Sequence, residues 1–295
     1  MIYLQSLLDG IMLGGVYATV AVGLSLAFGV MNILNWAHGE LLMVSMFISY
    51  LLITYLKIDP YLTLFVNVVV MFGVGYLLQK NVFSNILKKD KDKEPMSVLI
   101  ATSGLGMILI SVATMLFGSN AMSAQSQYSG KTIWLGEIMI SIPRSISFAI
   151  AILATIGLYL LLQKTELGRS LRATAQNREV AKLMGINTDR AYNIAFGLSL
   201  ALVGIAAALL VPNYSVYPKV GGSFGLKAFV IVLLGGKGNV PGALVGGLAI
   251  GIIERLSAIL WNESYALLLV YALFIIILLV MPDGIFSVKK RRKAA

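Results

Sequence analysis

The chain has 295 residues, 58% of them apolar and only 12% charged, with a mean hydropathy of +0.87; soluble domains carry about 25% charged residues, so a soluble globular protein is excluded. With no cysteine and a single histidine, disulfides and thiolate chemistry are excluded, and a histidine-built metal site has too few ligands. A net charge of +10 would suit nucleic acid, but the basic clusters hold a single aromatic residue, Phe83, and their placement suits a membrane instead.

The length holds roughly eight or nine helical spans of about 20 residues and leaves no room for a separate soluble domain. The expected fold is therefore all-α: a polytopic transmembrane helix bundle forming one domain over residues 1–295. The N-terminal MIYLQSLLDG lacks a basic region and a small-residue cleavage site, so the first apolar stretch, about 6 to 30, is expected to be retained as a span. It ends in an interruption, FGVMNILNWAHGELL, with Asn32, His38 and Glu40 at the end of one helix and the start of the next. Lipid cannot satisfy unwound backbone, so such a segment is either an interfacial turn or a break buried in protein beside a path. His38 and Glu40, two residues apart, point to different faces of a helix and do not form an acid–base pair. Glu40 at a helix start is also favoured by the dipole.

Further spans are expected at about 40 to 56 and 61 to 79, followed by a basic loop over 80–95. The span at 96 to 117 contains LIATSGLGMIL, where Thr102 and Ser103 either line a narrow path or hydrogen-bond a neighbouring helix. After a loop at 118 to 145 and a span at 146 to 163 comes a polar, basic island, Lys164 to Arg190. Its Arg169, Arg172, Arg178 and Lys182 alternate with small or apolar residues until Gly185 ends the helical pattern. An alanine-rich face without Trp or Phe suits docking into a groove on another protein better than lying on an anionic leaflet.

A span at 191 to 211 precedes a stretch too short to cross alone, Leu226 to Leu234, and a second interruption, LLGGKGNVPGALVGG, holding Gly235, Gly236 and Asn239. Paired interruptions near opposite ends of a transporter point to its translocation path. In the span at 242 to 260, Gly242, Gly246, Gly247 and Gly251 form small-xxx-small steps that mark a helix interface. Glu254 and Arg255, near its end, suit interfacial snorkelling or pairing across helices. A last span at 264 to 281 leads to a basic tail, 287–295. The basic loop, the island and the tail hold 16 of the 23 Lys and Arg residues, which places all three in the cytoplasm. Parity then puts the N-terminus outside if residues 6 to 30 cross fully, and requires the Leu226 stretch to reach the cytoplasmic half.

These segments resemble a known family. ELGRSLRATAQNREVAKLMGIN is similar to the cytoplasmic coupling loop of permease subunits from bacterial branched-chain amino acid ABC importers, in the hydrophobic amino acid uptake group. MNILNWAHGE resembles the family's N-F/L-A-H-G-E segment, with Trp36 where Phe or Leu is more usual, and LIATSGLGMIL and LLGGKGNVPGALVGG match in order. The motif order and the short N-terminus resemble the smaller of the two permeases that such importers pair.

The resemblance implies a permease of the bacterial inner membrane that works with a second permease, two cytoplasmic ATPases and a periplasmic or lipid-anchored substrate-binding protein. No GxxxxGK[ST] occurs in the chain, so ATP and Mg²⁺ chemistry falls to the ATPases; the chain itself is expected to bind no cofactor and to be no enzyme. The coupling surface expected over 164–190 comprises Gly168, Arg169, Arg172, Ala175, Glu179, Ala181 and Gly185. Asn32, His38, Glu40, Thr102, Ser103, Gly235, Gly236 and Asn239 are expected near the path. Branched-chain amino acids are the implied substrate; urea, short amides or other amino acids are carried by close relatives, and an ion-coupled carrier or channel is the remaining alternative.

Overall fold

The computed structural model describes residues 2–89, 94–124, 128, 130–135, 137–280 and 284. The basic tail, 287–295, and residues 90–93 of the basic loop lie outside the described residues. In chain order the elements are α1 (Ile2–Met31), α2 (His38–Leu56), α3 (Thr63–Leu78), α4 (Ser84–Lys89) and α5 (Glu94–Phe117). The hairpin β1 (Thr132–Leu135) and β2 (Ile138–Ser141) follows, then α6 (Ile142–Lys164), α7 (Glu166–Gln176), α8 (Arg178–Leu183) and α9 (Thr188–Leu210). α10 (Val220–Gly235), α11 (Val240–Leu260) and α12 (Glu263–Val280) complete the bundle. A π-helical turn, Gln79–Phe83, joins α3 to α4. Among the described residues seven helices are long and apolar enough to span a membrane: α1, α2, α3 with its extension, α5, α6, α9 and α11. α12 coincides with the last expected span.

α1 is apolar on every side, and such a helix belongs in the middle of a bundle. It is buried from Leu13 nearly to its end and packs against α6, α9, α10 and α11. α5 and α6 instead leave large apolar side chains on the surface, among them Met107, Met115, Leu153 and Leu160, as lipid-facing helices do. The glycines of α11 serve two interfaces. A Cβ on Gly246 would lie 3.1 Å from the Ile231 carbonyl of α10, and Gly242 abuts Gly235, whereas Gly247 and Gly251 meet Ala18, Gly10 and Gly14 of α1.

The island folds as two helices where the sequence pattern suggests one. Thr165 Oγ1 accepts from the Gly168 amide (3.0 Å) to start α7. Asn177 is extended (φ −160°, ψ 109°), and its Oδ1 accepts from the Glu179 and Val180 amides, so a strong N-cap residue inside the pattern starts a second helix. Gly185 (φ +81°) ends α8, with the Ile186 amide bonded back to the Ala181 carbonyl (3.0 Å), a Schellman closure. The stretch read as Leu226 to Leu234 is also longer than hydropathy suggests, because Gly221, Gly222 and Gly225 dilute the apolar run while remaining helical.

Candidate functional site

The first interruption is a break set deep in the bundle. Asn32 ends α1 with φ 54°, a left-handed conformation that Asn tolerates. The chain then turns back, and α2 starts at His38, whose Nε2 lies 3.1 Å from the Val20 carbonyl. Val20 is eleven residues before the end of α1, roughly 16 Å along its axis. α2 runs from there toward the end of the bundle where Tyr61 donates to the Pro143 carbonyl (3.1 Å) and Asp9 pairs with Arg144 (2.8 Å). Three amides leading into α2 find acceptors within the protein, as membrane depth requires, while Asn35 Nδ2 and His38 Nδ1 are buried without a partner among the described residues. The Trp36 amide donates to Thr102 Oγ1 (3.2 Å), the Ala37 amide to Asn35 Oδ1 (3.1 Å) and the His38 amide to the Asn35 carbonyl (3.3 Å).

α10 begins at the same place. A Cβ on Gly39 would stand 2.9 Å from the Gly221 carbonyl carbon and 3.0 Å from Gly225 Cα, so the two helix starts cross in backbone contact. Neither has a side-chain cap. Beside the crossing, Glu40 is half-buried and lines a cavity of about 160 Å³ with Trp36, Gly222, Gly225, Leu226 and Phe229. Trp36 stacks on Phe229 with centroids 5.1 Å apart. Gly106 of α5 faces the carboxyl, where a Cβ would lie at an ordinary contact distance of 3.5 Å from Glu40 Cδ. Among the described residues no cation pairs with Glu40.

His38 and Thr102 thus hold the break together from buried positions, and Ser103 Oγ donates to the Leu99 carbonyl within its own helix (2.8 Å); only Glu40 of these faces the cavity. Gly235, Gly236 and Asn239 lie elsewhere. Gly236 and Gly238 turn the chain with positive φ, Asn239 Oδ1 caps α11 at the Gly242 amide (3.1 Å), and Gly238 abuts Gly29 near the end of α1. This second interruption is ten residues further along α10 than Gly225 and forms a turn at the end of the bundle. It borders a separate cavity of about 450 Å³ with Gly29, Leu171, Arg172, Ala175 and Lys237.

The seven expected coupling residues divide by direction. Gly168 sits where the α6–α7 corner leaves no room for a Cβ, 2.5 Å from the Leu161 carbonyl, and Ala181 is buried. Arg172 and Ala175 border the larger cavity. Arg169, in an exposed pair with Glu166 (3.4 Å), and Glu179 face outward, and Gly185 ends α8. The apolar surface facing away from the bundle comes from Leu183 (86% exposed) and Met184 (77% exposed), two of the apolar residues in the island's helical pattern, together with Val180, which sequence did not single out.

Sequence reasoning also passed over Lys227. Its Nζ lies 2.7 Å from Glu254 Oε1 and 2.9 Å from the Tyr17 hydroxyl, and its side chain is 7% exposed. Tyr17 OH also donates to Glu254 (3.2 Å), so one polar knot ties α1, α10 and α11. The signal was a lone lysine inside an apolar run, with a lone glutamate for it to meet; Glu254 does pair across helices.

A buried central helix, a half-depth helix crossing with a carboxylate beside it, and a polar helical corner outside the bundle define a multi-pass membrane permease. Residues 6–278 match the family described as branched-chain amino acid transport system / permease component, and the chain belongs to it, as a multi-pass protein of the inner membrane. It is 30% identical over 299 residues to the high-affinity branched-chain amino acid transport system permease protein LivH of Escherichia coli (strain K12), covering 97% of this chain and 96% of the relative. The permease protein BraD of Pseudomonas aeruginosa is 29% identical, over 97% and 96% of the two chains. The probable branched-chain amino acid transport permease protein LivH of Methanocaldococcus jannaschii is 30% identical, over 96% and 93%.

Proposed function

We propose that this chain is the membrane-spanning permease subunit of an ATP-driven ABC importer that carries branched-chain amino acids inward. It would pair with a second permease, receive substrate from a binding protein at the hairpin end, and be driven by two cytoplasmic ATPases that use ATP and Mg²⁺. The substrate class is supported by likeness to LivH and BraD along nearly the whole chain. The observation that carries the coupling is the α7–α8 corner: a polar, basic segment that turns an apolar patch, Val180, Leu183 and Met184, away from the bundle. Such a patch suits a groove on a partner.

The corner is built to transmit force. α7 is locked to α6 at Gly168, and α8 is tied to α9 by Arg178, which pairs with Asp189 (3.2 Å) and lies over the Tyr192 ring (4.9 Å). Closure of an ATPase dimer would therefore move α6 and α9, and with them the helices around α1, as rigid bodies. In this reading Arg169 and Glu179 contact the ATPase, Gly168, Ala181 and Gly185 fix the corner's shape, and Arg172 and Ala175 relay its motion to the end of α1.

Gentle purification of the tagged chain, followed by reconstitution of what copurifies together with the substrate-binding protein, tests the reading: two ATPase polypeptides, a second permease and ATP-dependent uptake of labelled leucine and valine are expected. Uptake that survives ATP depletion on an ion gradient would overturn it. In the same assay Ala175→Glu, which places a charge between α7 and the end of α1, is expected to leave ATP hydrolysis running while uptake falls by about tenfold, within the usual range of coupling energies. Unchanged uptake would remove Ala175 from the coupling route.

A further inference from the structure

We propose that Glu40 binds the ammonium group of the transported amino acid, in a site that the second permease completes. The inference rests on the importer reading above and adds to it a recognition residue and the location of the path. Glu40 lies just past His38, whose ring meets α1 at Val20, so the carboxylate is far from either end of the 30-residue central helix. A charge at that depth is costly in hydrocarbon and belongs against protein or water. Yet the cavity it lines opens away from the bundle: Trp36 is 48% exposed, and a Cβ on Gly222 would meet nothing within 4 Å. This face is therefore not a lipid face. At about 160 Å³ and open on one side, the bowl leaves a ligand partly uncovered, and in this proposal the second permease supplies the missing wall.

The chemistry of the bowl selects the occupant. Its one charge is negative, and among the described residues no cation pairs with it. The nearby lysine of α10, Lys227, is engaged by Glu254 and Tyr17. The stacked Trp36 and Phe229 supply an aromatic wall that suits both a cation and an aliphatic chain. A carboxylate beside an aromatic wall fits the ammonium and side chain of a hydrophobic amino acid. An uncharged amide such as urea can donate N–H groups to the carboxylate but leaves its charge uncompensated, which an ammonium does not.

Because the native chain has no cysteine, Gly222→Cys gives this chain a single reporter in the bowl, read against the importer lacking it so that labelling of partner cysteines is subtracted, with Leu226→Cys as a second in case the first fails to assemble. The complete importer is reconstituted in vesicles and labelled with cationic and anionic methanethiosulfonates, without nucleotide and with ATP trapped. In at least one state the cationic reagent is expected to react about tenfold faster than the anionic one. Leucine-loaded binding protein should slow that reaction, and Glu40→Gln should bring the ratio near unity and abolish the protection. Absence of labelling at both reporters in both states, a ratio unaffected by Glu40→Gln, or no protection by leucine would each overturn the proposal; so would a ratio near unity that Glu40→Gln shifts toward the anionic reagent, the result of a partner's cation already seated on Glu40. ATP-driven leucine uptake by the importer without the reporter is measured in parallel. Its absence would refute the importer reading itself, whereas uptake accompanied by charge-blind labelling refutes only the role of Glu40.

Discussion

Lys227→Met is expected to destabilise the folded chain by about 3–5 kcal/mol, the usual cost of stranding one partner of a buried ion pair. The lysine supplies both close contacts of the knot, to Glu254 at 2.7 Å and Tyr17 at 2.9 Å. Its removal leaves a carboxylate among apolar helices with only the Tyr17 hydroxyl, a neutral donor at 3.2 Å. Methionine keeps the length and apolar stem, so lost packing contributes little. The double substitution Lys227→Met with Glu254→Gln removes both charges and is expected to recover most of the loss. The cycle thus isolates the cost of the stranded charge from that of the altered shapes. Unfolding of the purified variants in mixed detergent micelles measures both effects. Equal destabilisation by the single and double substitutions would show that shape, and not charge, holds α10 and α11 to α1.

The spans were legible in the sequence because each depends on a long apolar run, a property of the local chain. The inset start of α2 was only half legible. Asn32, Asn35 and His38 announced an interruption, but whether it lies at an interface or at depth is decided by which residue of α1 faces His38, and that is a tertiary fact. The same limit separated the two interruptions: both are rich in glycine or polar residues, yet one crosses α10 in mid-bundle and the other is a turn beside Gly29. Thr102 was read as either lining a path or bonding a neighbouring helix; its hydroxyl accepts from the Trp36 amide, in the unwound segment before α2 and not in a helix. The α7–α8 break was readable in principle, since Asn177 followed by Arg178 and Glu179 is a strong helix start, but the amphipathic pattern runs through it. Leu183 and Met184 were legible as part of the island's small and apolar face, but which of those residues stay exposed was not: Leu171 and Ala181 turn inward, whereas the Gly185 turn leaves Leu183 and Met184 outside.

The largest effect of a small substitution is expected at the crossing of α1 and α11. A Cβ at Gly14 would lie 2.7 Å from the Gly247 carbonyl oxygen and 2.7 Å from Leu248 Cα. Both are backbone atoms, so no side chain can swing aside and the two helices must move apart. Gly14→Val is expected to cost about 3 kcal/mol or more, at or beyond the upper end of ordinary overpacking, and to reduce the yield of folded protein sharply. Gly104→Val is the matched control: it makes the same chemical change on the outer face of α5, where a Cβ meets nothing within 4 Å, and should leave thermal stability within experimental scatter. The contrast separates glycine needed for contact from glycine merely present in a membrane helix. Because α1 also carries Tyr17 of the polar knot and the Val20 carbonyl that receives His38, displacing it should disturb the α2–α10 crossing as well. Uptake by any folded Gly14→Val importer should therefore fall further than its lowered abundance explains. Equal melting temperatures for the two variants would mean that the α1–α11 contact yields without cost, and that something other than close backbone packing fixes the central helix.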